Sequence, residues 1–275
     1  MKTVAVTGGA GFIGRYVCDE LIARGYGVEV LGLESGFDVR RPFELDAHAC
    51  IHLAGVLGTH ELFDDVHGAI DANIHGTVNV LDACVQADAR YVGITMPQVF
   101  PSIYTATKVA ATRIASAYHR NYGLPVSHVR AFNAFGPGQA HGPLHPQKIV
   151  PTFAVEAWAG RPIPIWGDGT QTVDLIHAEE LAVILCDALD HGDDVTFDGG
   201  TGLPLTVNEV AAMVLQITGS TAGINFLPMR RGEVPTYIVA THEGWDRLGW
   251  QPEFRSAGFI ETVFSYRTHP MAAAA

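Results

Sequence analysis

Short apolar runs alternate with longer stretches in which apolar residues recur every three or four positions, the spacing of a helix face. Lys2–Val6 reads as a strand, and Gly8 to Gly14 is a glycine-rich turn. Phe12 to Arg24 has helical spacing and stops at Gly25, a residue suited to a helix end. Val28–Leu31 and Cys50–Leu53 read as further strands. Ala69 to Ala87 is a long helical pattern with Ile70, Ile74, Val78 and Leu81 on one face. Tyr91–Thr95 reads as a strand, Tyr104 to Tyr122 as a helix and Val126–Ala131 as a strand. This β-α-β alternation predicts an α/β fold: a mostly parallel, doubly wound sheet with helices on both faces.

Beyond about residue 136 the texture changes. Gly136 to Pro151 is rich in Gly, Pro and His and reads as a loop. Pro151–Gly160, Glu179 to Asp190 and Val207 to Thr218 read as helices, with strands at Ile163–Trp166 and Val195–Phe197. A charged loop follows at Arg230 to Val234, and Ala272–Ala275 forms a small-residue tail.

Composition narrows the function classes. The chain has 275 residues, 48% of them apolar, enough for a sizeable core. Acidic residues outnumber basic ones by 29 to 17, which argues against a nucleic-acid binder. Apolar runs such as Leu181 to Leu185 fall far short of the roughly 18–20 residues of a membrane-spanning helix. Met1-Lys2 leads straight into the first strand, so no signal peptide is expected. Cys18, Cys50, Cys84 and Cys186 are far apart and fit a reduced, cytoplasmic protein. The 13 histidines form no HExxH pattern or close His/Cys cluster, so no metal site is expected.

Two motifs carry candidate chemistry. In Thr7-Gly8-Gly9-Ala10-Gly11-Phe12-Ile13-Gly14 the glycines follow a strand and open a helix. Gly8 allows the tight turn, Gly11 lets a pyrophosphate approach the backbone, and Gly14 lets helix and strand pack closely. The helix N-terminus offers free N–H groups to phosphate. An acid near the end of the second strand would hold the adenosine ribose. Gly32 stands at that place, with Glu34 two positions later, so NAD is expected while NADP stays open. The second motif is Tyr104-Thr105-Ala106-Thr107-Lys108, with Tyr and Lys on one helix face. A lysine ammonium beside the phenol favours phenolate, suiting the tyrosine to take a proton from a substrate hydroxyl.

Together these residues resemble the extended short-chain dehydrogenase/reductase family, in its NAD-dependent epimerase/dehydratase branch acting on nucleotide sugars. Further matches run along the chain. Asp38-Val39 is similar to the dipeptide that touches adenine, and His52-Leu53-Ala54, followed by Gly55, to the strand that passes the cofactor. Asn73 is similar to the asparagine that pins the next helix to the core. Arg130 to Gly138 resembles the RxxNxxGPG segment, whose asparagine (Asn133 here) contacts the substrate diphosphate. Gly167 to Gln171 resembles the start of GDGxQxRD, Arg230 to Val234 the phosphate-binding RxGEV loop, and Leu248 to Pro252 the LGWxP segment.

The resemblance implies a Rossmann-type lobe over residues 1–136, rejoined by strands near 174–176 and 195–198. Residues 137–275 form mainly a smaller, discontinuous substrate lobe. It also implies NAD held by Gly8, Gly11, Phe12, Ile13, Gly14, Glu34, Asp38, Val39, Leu53, Ala54, Gly55, Tyr104 and Lys108. The substrate side falls to Asn133 and Arg230, and the helices at 69–87 and 104–122 imply a homodimer.

Four departures qualify the resemblance. The family's Ser/Thr before its Val-Tyr pair, here Val99-Phe100, falls on Met96. Thr95 is one residue earlier and faces the opposite way on a strand unless the backbone bulges. Pro97-Gln98 replaces the Asp-Glu of 4,6-dehydratases. Only Pro101-Ser102-Ile103 separates Phe100 from Tyr104, and the stretch before Asp38 is short, so the pocket is expected to differ there. Val173 stands where the family has a phosphate-binding arginine; Lys148, His141 and His145 are candidates to compensate. The leading expectation is a nucleotide-sugar C4-epimerase using Tyr104, Lys108 and Thr95, with a transient keto sugar. An NADPH-dependent keto-sugar reductase is the alternative, and a non-catalytic cofactor sensor the third.

Overall fold

The structure, a computed structural model, describes residues 1–97, 102–143 and 145–272. The Val99-Phe100 pair, Gln98 and the last three alanines of the tail lie outside the described residues. Twelve strands are described: β1 (Thr3–Thr7), β2 (Gly27–Leu31), β3 (Ala49–His52), β4 (Arg90–Thr95), β5 (Val126–Ala131), β6 (Asn133–Phe135), β7 (Ile163–Trp166), β8 (Thr172–Val173), β9 (Leu175–His177), β10 (Asp193–Gly199), β11 (Leu205–Thr206) and β12 (Ile224–Leu227). The α-helices are α1 (Phe12–Ala23), α2 (Val66–Ile70), α3 (Gly76–Gln86), α4 (Ile103–Tyr122), α5 (Ile149–Trp158), α6 (Ala178–Asp187), α7 (Val207–Thr218), α8 (Trp245–Leu248) and α9 (Ser256–Ser265).

Six strands form one parallel sheet in the spatial order β2-β1-β3-β4-β5-β10. Alternation along each strand feeds two cores. Val4, Val6, Ile51, Val92 and Val129 join the core that includes residues of α1 and α6. Ala5, Cys50, Tyr91 and Val126 join the core that includes residues of α3 and α4. The sheet is therefore buried on both faces, as parallel sheets require. From β1 the chain passes to β2 on one side, and from β2 it crosses to β3 on the other. That reversal is the topological switch point, beyond whose carboxyl edge ligands bind in such sheets.

A third core gathers Phe153, Ile163, Ile165, Val210, Val214, Phe259 and Val263 from α5, β7, α7 and α9. β10 pairs with β5 and so extends the large sheet. The return expected near 174–176 differs: β9 pairs with β6 in a separate two-stranded ladder. Leu175 and Ile176 are apolar and buried like the residues of a central strand, which is why the pattern misleads. Asp174, fully buried just before β9, accepts the N–H groups of Thr201, Gly202 and Ala240 and ties those loops to the ladder.

Local chemistry sets the helix ends near the cleft. Ser102 caps α4 by accepting the Thr105 N–H at 3.1 Å, and Gly123 ends it in the left-handed region at φ +71°. The pattern expected over 69–87 is one continuous helical run, α2 to α3, interrupted by a π-helical turn at Asp71–His75. Such wide turns re-aim side chains and occur often at functional sites. This one carries Asn73.

Candidate active site

A cleft of about 770 Å³ opens along the carboxyl edge of the sheet. At its nucleotide end, Gly8 turns at φ +69°, where a Cβ would stand 2.9 Å from the Ala54 nitrogen. A Cβ on Gly14 would collide with the Gly8 carbonyl. Gly11 is the N-cap of α1 and carries no side chain to satisfy the first-turn N–H groups. This cradle and these unclaimed donors fit a dinucleotide pyrophosphate. Phe12, Ile13, Glu34, Asp38, Val39, Leu53, Ala54 and Gly55 line the same cleft. The Asp38 carboxylate is forked by Arg40, at 2.6 Å from Nη2, and those hydrogen bonds pull its pKa down to about 2.

A buried chain of hydrogen bonds joins this end to α4. The Ala54 N–H donates to Thr7 Oγ1, which lies 2.7 Å from His52 Nδ1. His52 Nε2 lies 3.1 Å from Thr77 Oγ1, and that hydroxyl donates to the Asn73 carbonyl. With the Thr77 proton committed, His52 carries its own proton on Nε2 and accepts from Thr7. Burial pushes the imidazole down to about 3, so it is neutral. The Asn73 side chain accepts the Val56 N–H at 2.9 Å and donates to Val56 O and Thr107 Oγ1. Thr107 then donates to the Tyr104 carbonyl at 2.9 Å.

Tyr104 and Lys108 both line the cleft. In the protein alone, burial dominates their titration, raising the phenol to about 12 and lowering the ammonium to about 8. Desolvation accounts for both shifts, so the phenolate-favouring effect expected of Lys108 does not show in the protein alone. β4 ends at Thr95 in unbroken register with β5, and Met96 follows outside the strand. Thr95 and Met96 therefore both border the cleft without a bulge. The Thr95 hydroxyl oxygen accepts from Thr112 Oγ1 at 2.8 Å, one helical turn beyond Lys108.

At the substrate end, Asn133, His145 and Lys148 line the cleft. Burial lowers the Lys148 pKa, opposed by Glu61 and reinforced by Arg230. Arg230 itself stands off the cleft lining. Its guanidinium is held by Glu233 at 2.7 Å, lies 4.7 Å from the Trp166 ring centre and reaches Gln147 at 3.4 Å. His141 is also off the lining, 5.7 Å from His269 between ring centres. Val173 packs against the third core, so its side chain is used for packing. Sequence reasoning missed Gln139, which lines the cleft and has a buried Oε1 without a partner among the described residues. Its place immediately after the GPG segment was the available signal.

The sequence model of the NAD dependent epimerase/dehydratase family matches residues 4–102 and 94–198. The chain belongs to this family. Among curated relatives, the low-salt glycan biosynthesis protein Agl12 of Haloferax volcanii is 28% identical over 96% of this chain and 97% of its own. A UDP-glucose 4-epimerase of Mycolicibacterium smegmatis is 28% identical over 97% of this chain and 99% of its own. Among solved structures, the UDP-glucose 4-epimerase of Thermotoga maritima with UDP-glucose superposes at a TM-score of 0.86. It is 25% identical, covering 96% of this chain and 98% of that one. This epimerase/dehydratase family member thus has a Rossmann-like parallel sheet and an NAD-dependent enzyme class. The described residues contain no cluster of metal-ligating side chains, and no described helix is long and apolar enough to cross a membrane.

Proposed function

We propose that the chain is an NAD-dependent nucleotide-sugar C4-epimerase. The observation that carries this reading is the meeting, in one cleft, of the glycine cradle, the Tyr104/Lys108 pair and the polar end formed by Asn133 and Lys148. NAD, when bound, supplies the hydride acceptor and donor and brings a pyridinium charge. In this reading Gly8 and Gly11 leave room for its phosphates, Gly14 lets helix and turn pack closely beneath them, and Lys108 would hold its ribose. Tyr104 takes the proton of the sugar hydroxyl as the carbon loses hydride, and gives the proton back after the keto sugar has turned. The balance is redox-neutral. Positive charge near the phenol favours the phenolate form.

Lys148 provides the cation for the substrate phosphates. Arg230, tied to Glu233 at 2.7 Å, is a reserve that reaches the same region through Gln147. Met96 offers the sugar no hydroxyl, so Thr95 is the available donor beside Tyr104, steadied by Thr112. The four cysteines, all buried and unpaired, suit a reducing cytoplasm. A homodimer through α3 and α4 completes the reading. The test of the tyrosine is Tyr104→Phe, assayed for UDP-glucose and UDP-galactose interconversion and for bound nucleotide. Turnover is expected to vanish while nucleotide remains; retained turnover contradicts the role.

A further inference from the structure

Position 32 is where a nucleotide-binding sheet of this kind places the acid for the adenosine ribose. Here it is glycine, yet its backbone needs no glycine. Gly32 is extended, with φ −162° and ψ 170°, a conformation open to any residue. What fills the space above it is another side chain. A Cβ built on Gly32 would lie 2.7 Å from Glu34 Oε2. That is about the reach of an aspartate's own carboxylate from its Cβ. The short 3₁₀ turn Leu33–Ser35 folds Glu34 back to this spot, closed by Ser35 Oγ donating to the Gly32 carbonyl at 2.8 Å.

Three further facts bear on the ligand. Gly32, Glu34, Asp38 and Arg40 line the same end of the cleft. Among the described residues, the Glu34 carboxylate has no ion pair. Arg40, the basic side chain lining this end, has its charge offset by the Asp38 fork, with Nε at 2.9 Å and Nη2 at 2.6 Å. A ribose with free hydroxyls finds a carboxylate acceptor here. A 2′-phosphate finds a carboxylate in its way and a guanidinium already paired.

We propose that Glu34 stands in for the acid missing at position 32 and selects NAD over NADP. The proposal rests on the cofactor reading above and names the residue that sets its specificity. The glycine at 32 and the acid at 34 are one device: the carboxylate reaches the ribose from two positions later, across a glycine that leaves it room. Gly32 then no longer points to an NADPH-dependent reductase.

The test is calorimetric titration of nucleotide-stripped, full-length protein with NAD and, separately, NADP. The unsubstituted protein is expected to bind NAD more tightly. Glu34→Gln should weaken NAD binding about tenfold, the scale of one lost hydrogen bond to a charged group, and narrow the gap to NADP. The double variant Gly32→Asp/Glu34→Ala should restore the preference, because position 32 accepts a side chain once Glu34 is gone. Glu34→Gln binding NAD as tightly as the unsubstituted protein would overturn the assignment while leaving the cofactor reading intact. An unsubstituted protein that binds neither nucleotide would overturn both.

Discussion

Asn73 Nδ2 lies 3.0 Å from Thr107 Oγ1, so the π-helical turn beside the nucleotide cradle is fastened to the helix that carries Tyr104 and Lys108. The same asparagine grips both polar atoms of Val56. Substrate hydroxyl and cofactor must meet within hydrogen-bond reach of Tyr104, and small misplacements of such groups are costly. Asn73→Ala is therefore expected to lower stability by about 1–3 kcal/mol for the buried partners it orphans. It should also lower kcat more than it raises KM. Denaturant unfolding and steady-state kinetics on one preparation check both. A variant with normal kcat would contradict the positioning role.

His52 is buried and neutral between Thr7 and Thr77, with its pKa pushed down to about 3. Its unfolded counterpart titrates near 6.5. Between those values the unfolded chain binds the extra proton, so stability is present above about 6.5 and is lost as pH falls toward 3. The full slope from one such group is about 1.4 kcal/mol per pH unit. The fall in unfolding free energy between pH 6.5 and 5 should be shallower in His52→Gln than in the unsubstituted protein. An equal slope in the two proteins would contradict the assignment.

Lys148 is the cation at the substrate end that lines the cleft, whereas Arg230 is occupied by Glu233. Lys148→Ala should raise KM for a nucleoside-diphosphate sugar about 10- to 100-fold and leave kcat nearly unchanged, the signature of uniform binding. Arg230→Ala should have the smaller effect. A larger effect at Arg230 would move the phosphate contact to that loop.

Much of this site was legible in the chain because it rests on local rules. A glycine turn between a strand and a helix, and Tyr and Lys one turn apart on α4, are set by spacing alone. Where long-range partners decide, the sequence was silent. Nothing local says that β9 pairs with β6 rather than with the large sheet, since both environments bury Leu175 and Ile176. The π turn at Asn73 is invisible to helical periodicity, which reads straight through it. α9 went unassigned because Phe259 and Val263 give only a short apolar stripe late in the chain. The ion pair of Arg230 with Glu233, three residues away, is a further contact that charge counting does not resolve.

The central claim is that one cleft oxidises and re-reduces the same carbon with no net exchange of electrons. Its most direct test is to incubate the purified protein with UDP-glucose deuterated at C4, adding no cofactor, and to follow the product by mass spectrometry and NMR. The account predicts UDP-galactose that retains the deuterium at C4. UDP-glucose left unchanged, or product formed only when NADPH is supplied and consumed, would contradict it.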